Sequence, residues 1–261
     1  VAPTVNRLVV LREIDRMASD VAAMTGDNAG SPQKLEALKR YLYQAGSWNG
    51  GKPFQYDLSD PLGENPASRK LVRYLETRRG NCVTMPILFL LVGERLGLNL
   101  TLAEAPLHLF VKYTDDDGRS WNLEATSGAG FTRDAWYRQK LPMTDEAVRN
   151  GVYLRALSRE ETVTAMAAFL VEHYLDTGAY EKAAAVADVL LQHYPNSAYV
   201  LAKKGTAYYR LLQREVTSKY MRMEDIPPDL RARADHWYRE NIAAFDRAEA
   251  LGWRISDGQT Q

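Results

Sequence analysis

The first third of the chain has the pattern of polar and apolar positions that is typical of helices. It predicts one helix over Val5 to Met24 and a second over Gln33 to Ala45. Gly46 to Pro66 is rich in Gly, Pro, Asp and Ser and predicts a long loop, and long loops in compact domains are often functional. Ser68 to Thr77 predicts a short amphipathic helix. It leads into a strongly apolar helix that ends near Gly97, because glycine suits a left-handed cap.

The middle of the chain predicts an antiparallel sheet. The strand-like segments are Leu98 to Ala103, Leu107 to Tyr113 and Arg119 to Ala125. The last two flank Asp115 to Gly118, which predicts a type I turn followed by a glycine bulge. After a predicted helix over Thr132 to Gln139, Tyr153 to Leu157 predicts one more strand.

From Ser158 onward the pattern is helical throughout, and it repeats with the 34-residue period of tetratricopeptide repeats. The positions that define the first repeat are Tyr174, Gly178, Tyr180, Ala183 and Pro195, and those of the second are Gly205 and Tyr208. An insertion from Gln213 to Asp229 displaces the closing helix to Ala243 to Ala248. We interpret the region as one complete and one interrupted repeat, and an ordinary pair of helical hairpins is the alternative.

Composition and charge exclude several classes of function. Lys plus Arg and Asp plus Glu are balanced at 33 each, so no net charge attracts the chain to nucleic acid. The longest apolar stretch, around Pro86 to Val92, is too short to span a bilayer. A single cysteine allows neither an internal disulfide nor a cysteine-cluster metal site, and no two histidines have metal-ligand spacing. We therefore expect no metal and no cofactor.

Cys82, the only cysteine, stands where the apolar helix would begin. A thiol at a helix N-terminus faces the positive end of the helix dipole, which stabilises the thiolate. Unpaired backbone N–H groups at Cys82 and Asn81 are candidates for an oxyanion hole. The alternative is an inert cysteine in the core. Gly80 favours a site, because glycine lets the chain approach a ligand closely.

His108 lies in the second predicted strand and shares a face with Phe110 and Lys112. This face is not uniformly apolar, so the imidazole is not simply enclosed in a core layer. The order of a cysteine on a helix and a histidine on a following strand is that of a papain-type thiol site. An interfacial histidine bonded to a backbone carbonyl is the alternative.

The hairpin geometry selects the acid that would orient His108. If the turn pairs Asp115 with Arg119, then Phe110 lies opposite Glu124. Glu124 is then one diagonal step from His108, roughly 7–8 Å, a distance that a long side chain can cross. Asn122 lies farther along the strand and is the alternative third member of the triad. Cys82 would attack a carbonyl, His108 would move the proton, and Glu124 would fix the tautomer of the imidazole.

These motifs together resemble the core of the transglutaminase-like superfamily. Gly80-Asn81-Cys82 is similar to its nucleophile motif, His108 to Val111 to its histidine strand, and Trp121 to Thr126 to its acid strand. The superfamily usually has Asp where Glu124 stands. The segment from Tyr153 to Glu161, running into the repeats, is similar to the bacterial branch in which such a core is fused to tetratricopeptide repeats.

The expected fold is α+β, with a papain- or transglutaminase-like cysteine core around an antiparallel sheet and an all-α tetratricopeptide-like tail. We expect a transglutaminase-like domain over residues 1–157 and a helical domain over residues 158–261. The favoured function is hydrolysis or transfer of an acyl group from an amide of a peptide or protein, as in thiol proteases and transglutaminases. The alternative is a silent scaffold whose helical repeats bind a protein partner. The expected compartment is the bacterial cytoplasm or, if a signal peptide preceded Val1, the periplasm.

Overall fold

A computed structural model describes residues 6–26, 28–60, 63 and 65–254. The chain forms two compact units, and the boundary between them falls between Leu141 and Pro142. The expected division into domains at residues 157 and 158 stays a prediction. Each unit is described by itself.

The first unit begins with two helices, as the sequence predicts. Helix α1 spans Arg7–Thr25 and α2 spans Ser31–Tyr43. The side chain of Asn6 caps α1 by accepting a hydrogen bond from the backbone N–H of Leu8 over 3.0 Å. The predicted start of this helix at Val5 lies outside the described residues. Apolar side chains of both helices are buried where the helices pack against each other, Ile14 and Leu38 among them.

The predicted long loop contains only short elements. These are a 3-10 turn at Ser47–Asn49, strand β1 at Gln55–Tyr56 and a second 3-10 turn at Pro66–Arg69. Pro61, Leu62 and Glu64 of this loop lie outside the described residues. Helix α3 at Leu71–Thr77 follows, so the predicted helix from Ser68 is divided by its 3-10 start. Strand β2 at Arg79–Gly80 pairs with β1 in parallel and holds the loop beside the next helix.

Helix α4, Thr84–Arg95, is the apolar helix of the sequence and the centre of this unit. It packs against α1, α2 and α3, and eight of its twelve residues are buried because it is covered on most sides. Gly97 follows the helix with φ of +73°, as expected of a left-handed cap.

A four-stranded antiparallel sheet completes the first unit. Its strands, in sheet order, are β3 at Leu100–Ala105, β4 at His108–Thr114, β5 at Ser120–Glu124 and β6 at Gly130–Thr132. The predicted register is confirmed, because Lys112 pairs with Asn122 and the turn pairs Asp115 with Arg119. The sequence did not predict β6, which is short and carries a glycine. Helix α5, Asp134–Lys140, follows close to its predicted place.

Among its described residues, the second unit has helices but no strands. Its helices are α6 at Asp145–Arg149, α7 at Arg159–Asp176, α8 at Tyr180–His193, α9 at Ala198–Leu212 and α10 at Pro228–Ala250. The prediction of a strand over Tyr153 to Leu157 is wrong. That segment is a series of bends, and Leu154 has a φ of +67°, which no strand residue adopts.

Helices α7 to α10 pack in sequence order, each against the next. They share a buried cluster that includes Val171, Ala183, Val200 and Trp237. Short turns join α7 to α8 and α8 to α9, and Gly178 supplies a φ of +72° in the first of them. The insertion is only partly a loop, because Gln213–Thr217 extends α9 as a π-helical turn. None of the described helices is both long enough and apolar enough to cross a membrane.

Candidate active site

Cys82 lies in the turn that opens α4, just before the regular helix begins at Thr84. Hydrogen bonding starts at Asn81, whose carbonyl accepts from the backbone N–H of Met85 over 3.1 Å. The Asn81 side chain accepts from the backbone N–H groups of Val83 and Thr84 at 3.0 and 3.1 Å. This is N-cap geometry, so Cys82 is the first residue after the cap. Its side chain is half-buried and free of any disulfide.

The donors of Asn81 are engaged, which narrows the choice of oxyanion donor. Asn81 is buried, its backbone N–H donates to Thr84 Oγ1 over 3.1 Å, and its amide donates to the carbonyl of Ser68 over 3.2 Å. The backbone N–H of Cys82, by contrast, donates to no group within the described part of the chain. Of the two candidate donors, only that of Cys82 is left for a ligand.

Gly80 is required by its neighbours rather than by a ligand. A Cβ atom at this position would lie 2.5 Å from the ring of Tyr74 and 2.7 Å from Thr84 Oγ1. The sequence predicted a close approach at Gly80, but to a ligand. The close approach is to the buried aromatic ring of α3, which fixes the path of the chain into Cys82.

His108 is the first residue of β4 and follows a two-residue turn, Pro106 and Leu107, that joins β3 to β4. The Nε2 atom of its imidazole lies 2.8 Å from Oε2 of Glu124. The same turn carries the Leu107 carbonyl, which accepts the thiol of Cys82 at a distance of 3.6 Å. The turn therefore brings the histidine and the cysteine to one place.

Glu124 ends β5 and is 3% exposed. Its Oε2 atom accepts hydrogen bonds from His108 and from the hydroxyl of Tyr137, the latter over 2.9 Å. Its Oε1 atom accepts from the backbone N–H and the hydroxyl of Thr126, over 3.0 and 2.5 Å. A buried carboxylate is stable only when hydrogen bonds replace its water, and these four bonds do so.

Asn122, the alternative to Glu124, points to other partners. Its Oδ1 atom accepts from Lys112 Nζ over 2.6 Å, and its amide donates to Asp134 Oδ1 over 2.6 Å. The lysine and the carboxylate hold both ends of the amide. Glu124 is therefore the residue that meets the imidazole.

The charges in the site reinforce one another. Burial by itself lowers the pKa of His108, but its interactions with Cys82 and Glu124 outweigh burial and raise the pKa to about 9. Burial by itself raises the pKa of Glu124, yet the bond and charge of His108 and the bonds from Thr126 lower it below its usual value. At neutral pH the pair is an imidazolium and a carboxylate. Because Nε2 is bonded to Glu124, Nδ1 is the ring nitrogen that remains for the interaction with Cys82.

The model of the transglutaminase-like superfamily matches residues 9–168, which is more than half of the chain. The chain belongs to the transglutaminase-like superfamily.

The transglutaminase-like chain has several bacterial relatives. A UPF0162 protein of Buchnera aphidicola subsp. Acyrthosiphon pisum is 25% identical over 209 residues, which cover 77% of the chain and 72% of the relative. A UPF0162 protein of Xylella fastidiosa strain Temecula1 is 27% identical, over 70% of the chain and 64% of the relative. Protein SirB1 of Salmonella typhimurium is 22% identical, over 77% of the chain and 72% of the relative. No solved structure matches the chain.

Two residues near this transglutaminase-like site, Tyr137 and Tyr56, were not predicted from the sequence. Tyr137 reaches Glu124 from α5, and no local pattern marks a contact between residues so far apart in the chain. Tyr56 lies on β1, paired with Gly80, and burial together with the charges of Cys82 and Glu124 raises the pKa of its hydroxyl. Thr126 had a local signal, because a hydroxyl two residues after a carboxylate commonly closes a short hydrogen-bonded turn.

Across the described ranges, no three His, Cys, Asp or Glu side chains are grouped closely enough to hold a metal ion.

Proposed function

We propose that this protein is a cysteine-dependent acyl hydrolase or acyltransferase that acts on an amide of a peptide or protein. The observation that carries the proposal is the 2.8 Å contact between His108 Nε2 and Glu124 Oε2, in an imidazole that also interacts with Cys82. A buried carboxylate on one ring nitrogen and a half-exposed thiol near the other suit nucleophilic catalysis.

In the first half of the reaction, the sulfur of Cys82 attacks the carbonyl carbon of the amide and forms a carbon–sulfur bond. His108, protonated as its raised pKa implies, gives its Nδ1 proton to the nitrogen of the leaving amine as the carbon–nitrogen bond breaks. Glu124 stabilises the imidazolium until that transfer, because its carboxylate stays ionised. The products of this step are a thioester on Cys82 and a free amine.

In the second half, water or a second amine attacks the thioester carbonyl. Neutral His108 takes the proton of the attacking group, the carbon–sulfur bond breaks, and the thiolate–imidazolium pair returns. Hydrolysis is favoured over transfer, because water competes with an amine unless the site excludes it.

The developing oxyanion needs a donor near the sulfur. The backbone N–H of Cys82 fits this role, because it lies at the first helical position and donates to no other described group. Asn81 contributes by capping the helix and holding that N–H in place, rather than by donating to the oxyanion.

We also propose that α7 to α10 form one complete and one interrupted tetratricopeptide repeat. Two features support this. The glycine turn at Gly178 separates α7 from α8, and Gly205 lets α9 approach α10, since a Cβ atom there would lie 2.6 Å from the ring of Phe245. Helical repeats of this kind bind peptides and proteins, so this region is a candidate for partner binding.

The test of the catalytic proposal is the rate at which iodoacetamide alkylates Cys82 as a function of pH. The protein has one cysteine, so the same thiol in urea-unfolded protein is its own reference. We expect the folded protein to react faster than the unfolded protein at neutral pH, and His108→Gln to lose that advantage. A folded thiol that reacts no faster than the unfolded one would support the alternative of a catalytically silent scaffold.

A further inference from the structure

The turn between β3 and β4 has an unusual residue at its second position. Ala105 pairs with His108, so Pro106 and Leu107 form the whole connection. Proline holds φ near about −65°, whereas Leu107 has a φ of +53°. This combination is that of a type II turn, which normally takes glycine or asparagine at the position of Leu107.

Packing does not compensate for this strain. A left-handed conformation at a residue with a Cβ atom is unfavourable, and burial of the side chain would be the ordinary way to offset it. The Leu107 side chain is instead 51% exposed. Strained residues that folding does not explain are concentrated at functional sites.

The place of Leu107 is next to the proposed nucleophile. Its carbonyl oxygen is 3.6 Å from the sulfur of Cys82, and the following residue is His108. An acyl group on the sulfur would therefore have its nearest side chain within reach of an exposed leucine.

We propose that Leu107 determines specificity, by contacting an aliphatic side chain on the acyl residue next to the amide that is cleaved. The proposal rests on the thiol chemistry proposed above and adds the substrate class. An acyl residue with an aliphatic side chain covers the exposed leucine and removes apolar surface from water, whereas a glycine residue leaves it exposed.

Two matched electrophiles test this on the whole protein, the chloromethyl ketones of N-acetyl-leucine and N-acetyl-glycine. Each forms a bond to sulfur with loss of chloride, and peptide mapping assigns the adduct to Cys82. The rate with the leucine probe divided by the rate with the glycine probe cancels any general change in thiol reactivity. We expect a ratio of about ten, the discrimination that a small apolar contact supplies.

Leu107→Asn is the decisive variant, because asparagine has the same branched arrangement of side-chain heavy atoms as leucine, tolerates the left-handed conformation and is polar. We expect its ratio to fall towards one and its melting temperature to stay at or above that of the original protein. A ratio near one in the original protein, or an unchanged ratio in Leu107→Asn, overturns the proposal.

The ratio and the absolute rate answer separate questions. The proposed thiol chemistry fails if neither probe alkylates Cys82 faster in the folded protein than in the protein unfolded in urea. The ratio still decides whether an apolar contact at Leu107 exists.

Discussion

At the scale of single residues, Glu124 organises the site. One oxygen of its carboxylate binds His108 and Tyr137, and the other binds Thr126. Because it is buried, its charge acts on the imidazole with less screening by solvent than a surface charge would. Asn122, two residues earlier, is also buried, but its side chain accepts a hydrogen bond from Lys112. The bonding partners therefore distinguish the two candidates for the third member of the triad.

The first prediction compares these two residues. Glu124→Gln keeps the size of the side chain but removes the charge that stabilises the imidazolium, so we expect the rate of amide cleavage to fall about 100-fold or more. Asn122→Ala should lower it by less than about fivefold, because Asn122 does not contact His108. Steady-state kinetics on both variants measures the difference. If both variants lose the same fraction of the cleavage rate, neither residue acts as the third member of the triad.

The second prediction concerns pH. His108 has a folded pKa of about 9, above its usual value of 6.5, so its stabilising contribution is complete below pH 6.5 and is lost as the pH rises through about 9. The pKa of Glu124 is lowered, so its contribution is present above its usual value of 4.5 and is lost on acidification. Activity should decline above about pH 9, as the imidazolium loses its proton.

Urea unfolding at a series of pH values measures the stability part of this prediction. The free energy of unfolding should decrease between pH 6.5 and about 9, and His108→Gln should flatten that decrease. An identical slope in His108→Gln would show that the pKa of His108 is not raised in the folded protein.

At the scale of elements, the opening turn of α4 joins stability to function. Asn81 caps the helix through two backbone N–H groups and ties it to the loop at Ser68. The sequence located the helix start at Cys82, while the regular helix begins at Thr84. The side chain that caps the opening turn is that of Asn81. The thiol is positioned by the cap, since it is the next residue.

The third prediction is that removing the Asn81 cap lowers both the stability of the protein and the reactivity of Cys82. Asn81→Ala should lower the free energy of unfolding by about 1–3 kcal/mol, because it removes a cap and leaves a buried carbonyl without its donor. It should also slow the alkylation of Cys82. The matched control is Asn6→Ala, which removes the cap of α1. It should lower stability by about 1 kcal/mol and leave the alkylation rate of Cys82 unchanged.

At the scale of the whole molecule, the segment between α5 and α7 meets the end of α10, which is distant from it in the sequence. The assignment of residues 142–157 to the first domain stays a prediction. Within the helical unit, α6 forms hydrogen bonds with the end of α10. Thr144 donates to the carbonyl of Gly252 over 2.7 Å. A Cβ atom on Gly252 would lie 2.8 Å from Cα of Ala147. These contacts tie the two ends of the helical unit together.

The fourth prediction tests the contact between α6 and the end of α10 in the full chain. Gly252→Ala and Gly178→Ala both introduce a Cβ atom at a positive φ, but only Gly252 has neighbours within 4 Å. We expect Gly178→Ala to destabilise the protein by about 1–2 kcal/mol, from backbone strain alone. Gly252→Ala should lower stability by at least about 2 kcal/mol more, because α6 must also move. Equal losses in thermal unfolding would mean that α6 and the end of α10 are not packed together.

The features that the sequence determined by itself are those with short-range causes. The register of the β4–β5 hairpin follows from its turn, and it brings Glu124 within reach of His108. The start of α4 within two residues of Cys82 and the helical pattern after Ser158 also depend on neighbours in the chain. Periodicity, caps and turns are local, so the sequence states them directly.

Only the tertiary structure decided the contacts between distant segments. Tyr137 reaches Glu124 from α5, Tyr74 explains Gly80, and α6 packs on the end of α10. The exposed, left-handed conformation of Leu107 beside Cys82 was likewise not predicted, since the sequence around it is that of an ordinary strand. Such contacts depend on how elements pack in three dimensions, and periodicity along one element carries no information about the element that it meets.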